Sequence, residues 1–418
     1  MNKIASAFCM AASIAALHPL ALAQPNDTLK ALAKSQTGFK IIEQQGEQAR
    51  AIQGILKNIS LPDGFAITLY ALAPRARHMA VGPRGMVTFV GTLKSEVWAI
   101  IDHDRNGIAD EVRNFAPFIE KSMPNGPCFA PDGVLYIAEQ NRVLAYPRAE
   151  IQIQDANPET LEVIPAGALI PEKFVSSNHT ARVCDVGPDN RLYISLGQPY
   201  NVTQREYLNT FGEIGIGGII RISRDGTDRE VYALGIRNSV GQDFHPTTGD
   251  LWFTDNQVDG MGDDIPPGEI NQQTAMGQHF GFPWFGGGHV RTNEYKDEEV
   301  PGGVVFPVSE TVAHAADLGM LFYQGDMFPD HYRGGIFSAQ HGSWNRSVPI
   351  GARIMFTPVD AQGRIAGDTE PFAEGWLDEN GKYLGRPVDV AQLKDGSLLV
   401  SDDLTGAVYR ITYAVPGS

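Results

Sequence analysis

Three histidines, two arginines and a set of amides and carboxylates stand at matching places beside short apolar runs. His78, Asn125, His179, the pair Arg237-Asn238 and Arg386 each precede such a run. Glu139, Gln198, Asp255-Asn256, His341 and Asp402-Asp403 each follow the next one. An imidazole with an ordinary pKa of about 6.5 can take a proton at neutral pH. A guanidinium grips an anion through a planar fork of N–H donors. A lone His or Arg at a strand end ordinarily caps a loop or meets water. Their recurrence at one position is what points to a site for proton abstraction beside a bound anion.

The elements that must position them form a repeat: an apolar strand, a tight turn and a second apolar strand. It reads MAVGPRGMVTFV at 79–90, CFAPDGVLYIA at 128–138, VCDVGPDNRLYIS at 183–195, QDFHPTTGDLWFT at 242–254 and VAQLKDGSLLVS at 390–401. A degenerate copy lies at 320–323 and 335–338. Turn residues fall at Gly85, Gly133, Asn190, Gly249, Gly334 and Gly396. Third strands follow most copies, at 97–101, 142–146, 219–222, 353–356 and 408–412. Several strands per unit at a period of roughly 40 residues or more predict a β-propeller. The expected fold is all-β: a six-bladed β-propeller over 59–418, a short helical N-terminal extension over 24–58, and loop insertions at 199–216 and 257–305. In a blade, the inner strand runs to the turn and the next strand returns. Residues before the first strand and after the second therefore share one face, at the mouth of the central tunnel.

The chain has 418 residues, with 33 Lys+Arg against 49 Asp+Glu and a net charge of −16. That balance argues against nucleic acid or an anionic membrane as partner, because a phosphate binder needs a basic face. Residues 1–23 read as a secretory signal. Lys3 supplies the charge, an apolar stretch runs to Leu22, and Ala21-Leu22-Ala23 offers a small-x-small cleavage site before Gln24. Ser13, His18 and Pro19 interrupt the stretch and disfavour a membrane anchor. No later stretch reads as a membrane span, so the product is expected to be periplasmic or secreted. Cys128 and Cys184 fall on inner strands of neighbouring blades. Such strands are expected to splay apart, so two buried free thiols are expected rather than a disulfide.

The segment GIRNSVGQDFHPTTGDLWFTD at 235–255 resembles the soluble quinoprotein sugar dehydrogenases, in particular their sorbosone dehydrogenase-like branch. HTAR at 179–182, GPD at 187–189, GDDIPPGEIN at 262–271, HFGFP at 279–283 and QHGSWNR at 340–346 extend the resemblance. It implies a propeller that binds pyrroloquinoline quinone (PQQ) and calcium and oxidises an aldose, a sorbosone-like aldehyde or a related sugar. Electrons would pass to an unidentified acceptor, a quinone or cytochrome c. Carried over by position, His179 is the general base, and Arg237 and Asn238 contact quinone and substrate. Arg386 holds a cofactor carboxylate. His341 stands where glucose-oxidising relatives have a cofactor-binding lysine, and Asn125 joins the cofactor-binding set. Gln257 and Val258 stand where backbone carbonyls ligate the cofactor's calcium. Two positions depart from the pattern: Gln198 replaces an acidic partner of the histidine, and Val388 replaces a second arginine.

Two further clusters suggest metal. Asp102, Asp104 and Asn106, with Gly107 next, occupy positions 1, 3, 5 and 6 of a calcium loop, but Arg113 stands at position 12 where a bidentate Glu belongs. A plain hairpin turn is the alternative. Asp263, Asp264 and Glu269 form the second cluster, as a structural calcium site or a solvated loop. Two other functions compete with the dehydrogenase. One is a calcium-dependent propeller lactonase, which needs several carboxylate or amide side chains on one ion in the tunnel. The other is a non-catalytic binding propeller, which needs no convergence of His179, Arg237 and Arg386.

Overall fold

A computed structural model describes residues 38–414. The signal reading at 1–23 and the first part of the 24–58 extension lie outside them. Six sheets of four or five strands, antiparallel but for one edge pairing, follow one another along the chain and form a six-bladed β-propeller. The inner strands are Met79–Val81, Gly126–Phe129, Cys184–Val186, Gln242–Phe244, Asp317–Phe322 and Pro387–Gln392. All six expected turn residues adopt the left-handed conformation: φ is 70° at Gly85, 88° at Gly133, 60° at Asn190, 74° at Gly249, 80° at Gly334 and 85° at Gly396. That conformation favours Gly or Asn, which is why these turns were legible.

The second strands are buried throughout, from Val87–Val90 in blade one to Leu398–Asp402 in blade six. Each blade is covered on both faces by its neighbours, so these strands are buried on both sides and mostly apolar rather than alternating, with polar residues such as Asp255 and Asp402 at their ends. Trp252 of blade four meets Phe322 of blade five edge-on at 5.6 Å. Phe89, Phe115 and Tyr146 form a similar chain between blades one and two.

The ring is closed by a strand absent from the repeat. Phe65–Leu72 pairs antiparallel with Ala407–Tyr413 and completes blade six. Ile41–Ile42 adds an edge to blade one. Between them, the helix Glu47–Leu56 buries Ala49, Ile52 and Leu56 against the cluster shared by blades five and six. The segment 257–305 is more than an insertion. It contains Gly268–Gln273, the third strand of blade four, and Gln278–His279, which pairs in parallel with the outer strand of blade three. The 199–216 segment carries a helix, Leu208–Ile214.

The cysteine expectation is corrected. Cys128 and Cys184 form a disulfide with their Cα atoms 5.7 Å apart. Inner strands converge toward the tunnel axis and splay only further out. Gly126 shows how close they come: a Cβ there would lie 2.4 Å from the Arg182 carbonyl of the next blade.

Candidate functional site

Asp255 ends the second strand of blade four, and its carboxylate organises the mouth. Its two oxygens accept the consecutive backbone N–H groups of Arg237 (2.9 Å) and Asn238 (2.7 Å). Glu269 faces it across the sheet and accepts the N–H of Gly288 at 2.6 Å. Burial pushes Asp255 up to about 6. Burial and the charge of Asp255 push Glu269 up to about 8.

His179 sits before the inner strand of blade three in the left-handed conformation, at φ 50°. Its Nδ1 lies 2.5 Å from the Gln198 carbonyl, so Nδ1 carries the hydrogen and Nε2 keeps the lone pair. The Gln198 side chain turns away to Tyr200 and Thr203. The partner of the histidine is thus the Gln198 backbone carbonyl and not its side chain, which stands where the family pattern has an acid. Arg182, the last residue of the HTAR segment, is buried and holds the His179 carbonyl at 2.9 Å. Burial, the nearby Arg237 charge and Arg182 lower His179 from its ordinary value to about 4, so it is neutral at physiological pH.

His179, Arg237, Asn238 and Gln257 line one cavity of about 170 Å³, together with Asn256, Asp259, His314, Ala316, Trp344 and Asn345. Arg237 is buried. Its Nε donates to the Asn201 carbonyl, Nη1 to the Asn256 carbonyl, and Nη2 to both Asn201 Oδ1 and Asp259 Oδ2, the last at 2.8 Å. Four of its five N–H groups therefore have protein acceptors. Asp259 in turn accepts from Asn345 at 2.8 Å. Trp344 is 75% exposed on the rim. Asp259, Asn345, Trp344 and Arg182 were not singled out from sequence, although Trp344, Asn345 and Arg182 lie inside the quoted motifs.

The remaining expected residues stand elsewhere. Arg386 donates through Nε to the His341 carbonyl and through Nη2 to the Gly342 carbonyl, and it has no carboxylate partner among the described residues. His341 Nε2 lies 2.9 Å from Asp403, which also binds Arg77. Burial pushes Asp403 up, but the His341 hydrogen bond and the Arg77 charge prevail and hold it at about 2. Asn125 is fully buried. It bonds Arg77, His78 and the Arg182 carbonyl, as a tie between blades rather than a cavity wall. The carbonyls of Gln257 and Val258 accept no hydrogen bond among the described residues. Asp263 caps Ser347, Asp264 is exposed beside Arg346, and Glu269 is in the sheet, so these three do not meet. Asp102 and Asp104 do come together, with Asp110 as a third carboxylate and Asn106 bonded to Asp104.

A second cavity of about 310 Å³ follows the tunnel and includes His78, Asp185, Asp243 and Asp389. Asp389 accepts Met79 N–H at 2.8 Å and Asp243 accepts Phe322 N–H at 2.7 Å, each from the next blade. These acids tie blades together, so the mouth is the better candidate for chemistry.

Comparison with known proteins bears on the family and the fold. A profile of the glucose/sorbosone dehydrogenase family matches residues 138–410. An uncharacterized protein of Borreliella burgdorferi is 30% identical over 382 residues, 87% of this chain and 93% of that one. The calcium structure of a Trichoderma reesei carbohydrate-active enzyme of family AA12 superposes with a TM-score of 0.71 at 19% identity, covering 85% and 97% of the two chains. The holo PQQ domain of Coprinopsis cinerea pyranose dehydrogenase gives 0.69 at 17% identity, over 85% and 97%. The soluble aldose sugar dehydrogenase of Escherichia coli, in its apo form, gives 0.57 at 16% identity, over 84% and 100%. At such identities the superpositions speak for the fold, and the profile match over more than half the chain carries the assignment: this protein belongs to the glucose/sorbosone dehydrogenase family.

Proposed function

We propose that the tunnel mouth oxidises a sugar hydroxyl or aldehyde hydrate, with His179 as the base and PQQ, held with calcium, as the hydride acceptor. The observation that carries this is the fixed tautomer of His179, whose Nε2 lone pair is left for a substrate proton at a cavity wall. The residues fit an anionic quinone and its cation. Arg386 donates to two backbone carbonyls and lies over the Tyr383 ring, with no carboxylate partner among the described residues, where the Gln257 and Val258 carbonyls are likewise unclaimed. Asn238 Oδ1 is buried without a donor. Arg386 would pair with a cofactor carboxylate. Arg237 would keep Asp259 and Asn201 in place and supply one remaining N–H. His341 and Asn125 would act from behind this wall. When bound, the quinone would accept the hydride, and calcium would polarise it.

The chain's own part is to bind and orient the sugar and to hold its proton. His179 Nε2 takes the hydroxyl proton as the C–H bond breaks, and the Gln198 carbonyl stabilises the imidazolium through Nδ1–H. The exposed Trp344 ring offers an apolar face for a pyranose, with Asp259 and Asn345 as polar partners for its hydroxyls. A lactonase would need several acidic ligands at one point in the tunnel. Among the described residues, the one group of three acids that could share an ion lies in the outer loop of blade one.

Export by the 1–23 segment is part of this proposal, and the disulfide supports an oxidising compartment. No helix among the described residues is long and apolar enough to cross a membrane. The electron acceptor in this proposal is unidentified, a quinone or a cytochrome c. The test is reconstitution: chelator-treated, dialysed protein should oxidise aldoses with an artificial dye only after both PQQ and calcium are restored. Full activity without added quinone would overturn the proposal.

A further inference from the structure

The hairpin loop 102–110 joins the third strand of blade one, Trp98–Ile101, to the fourth, Glu111–Asn114. Antiparallel order places it on the face opposite the candidate site. Asp102, Asp104 and Asp110 each bring a carboxylate oxygen within 4.8 Å of the others. None of the three forms an ion pair with Lys or Arg among the described residues. Three like charges this close repel one another unless a cation compensates them.

A second observation comes from Asp102 itself. The residue is only 5% exposed, and its Oδ1 is buried with no hydrogen-bond partner among the described residues. Its Oδ2 already accepts the Gly107 N–H at 3.0 Å. A buried carboxylate oxygen with no donor is costly, and native structures seldom leave one so. Asp104 and Asp110, both exposed, contribute the other two carboxylates of the cluster.

We propose that this loop is a calcium site, closed by Asp110 at position 9 rather than by a glutamate at position 12, and that it clamps the seam where the propeller ring closes. The donors would be the carboxylates of Asp102, Asp104 and Asp110, the Asn106 side-chain oxygen and the Ile108 carbonyl at position 7. A flexible loop of hard oxygen donors suits Ca²⁺, whereas Mg²⁺ demands tighter octahedral geometry. The missing acid at position 12 is thereby accounted for, because that position has entered the next strand as Arg113.

The clamp follows from what the loop touches. Ala109 N–H donates to the Tyr70 carbonyl at 3.1 Å, and Tyr70 lies on the closing strand Phe65–Leu72. Gly107 leaves room for Arg410 of blade six: a Cβ there would stand 1.7 Å from Arg410 Nη1. Ordering the loop therefore orders the junction of blades one and six.

The experiment uses the cofactor-free mature protein, stripped with chelator, in wild-type form and as Asp104→Asn and Asp110→Asn. Both side chains are exposed, so neither substitution disturbs the core. Calcium titration by calorimetry should show a site in the wild type with a Kd of about 10⁻⁶–10⁻³ M. Each variant should bind at that site at least about tenfold more weakly. Calcium, but not magnesium at the same concentration, should raise the wild-type melting temperature and suppress tryptic cleavage after Arg105. Both effects should be lost in the variants. Equal calcium affinity in wild type and variants would overturn the site. Cleavage after Arg105 and a melting temperature indifferent to calcium in the wild type would overturn the clamp. Neither readout uses quinone or sugar, so the result stands apart from the fate of the dehydrogenase proposal.

Discussion

Gly197 is where the geometry of the mouth can be tested by one methyl group. Its backbone does not have positive φ, so alanine is conformationally acceptable. The obstacle is space. A Cβ would lie 2.4 Å from Asn238 Oδ1, 2.8 Å from His179 Cβ and 2.8 Å from the His179 carbonyl, where ordinary contact begins at 3.4 Å. Relief requires His179 and Asn238 to move apart by roughly 0.6–1 Å. Overpacking of this kind costs about 1–3 kcal/mol, which the ring should survive. A displacement of about 1 Å at a reacting group costs on the order of 10²-fold in rate. Gly197→Ala should therefore fold, melt somewhat earlier and lose about two decades of kcat, with a smaller change in KM. Gly212→Ala is the control. It lies in the helix Leu208–Ile214 with nothing within 4 Å of the added methyl, so it should gain about 0.5–1 kcal/mol and keep its activity. The assay is dye-linked sugar oxidation on reconstituted protein, with melting curves for all three forms. A folded Gly197→Ala protein with kcat within about threefold of wild type would refute the claim that His179 and Asn238 form the reacting constellation.

His179→Gln should lower turnover on the order of 10²–10⁴-fold while quinone titration stays near normal; near-normal turnover would remove the histidine from the mechanism. The competent form of His179 is neutral, and its pKa is lowered to about 4, so kcat/KM should hold from pH 7 downward and fall as pH drops through about 4. Arg237→Gln removes one of the charges that depress that pKa and should move the fall to higher pH; an unmoved limb in pH–rate profiles would show that another group titrates. Arg386→Ala should raise the quinone dissociation constant by about one to two decades, roughly 1.5–3 kcal/mol for a charged hydrogen bond; an unchanged affinity with a lowered melting temperature would make the arginine structural. Cys128→Ser with Cys184→Ser should cost about 4 kcal/mol by loop-closure arithmetic over a separation of 56 residues, read from chemical denaturation under oxidising conditions.

The blades were legible because turn chemistry is local. Gly or Asn at a left-handed position between apolar strands can be read without knowing what the strands touch, and all six positions carry that conformation. The mouth was partly legible for the same reason: strand direction alone places His179, Arg237 and Asn238 on one face, and the structure puts them on one cavity. What those side chains do there depends on partners far away in the chain. That Arg237 is occupied by Asn201 and Asp259, that Asn125 ties neighbouring blades, that Arg386 donates to the His341 carbonyl and that His341 meets Asp403 are consequences of packing between blades.

Composition and spacing by themselves determined the repeat, the acidic character and the residue types available for proton transfer and anion binding. Tertiary structure decided the closures. The strand Phe65–Leu72 has no repeat signature, and only pairing with Ala407–Tyr413 shows it to be part of blade six. Cys128 and Cys184 are 56 residues apart, and only the convergence of inner strands at the axis brings them within bonding distance. Asp110 sat outside the expected ligand pattern until the hairpin folded it back toward Asp102. In each case the deciding quantity is a distance between segments remote in sequence. That distance is set by how six twisted sheets pack around one axis and not by the preferences of the residues at either end.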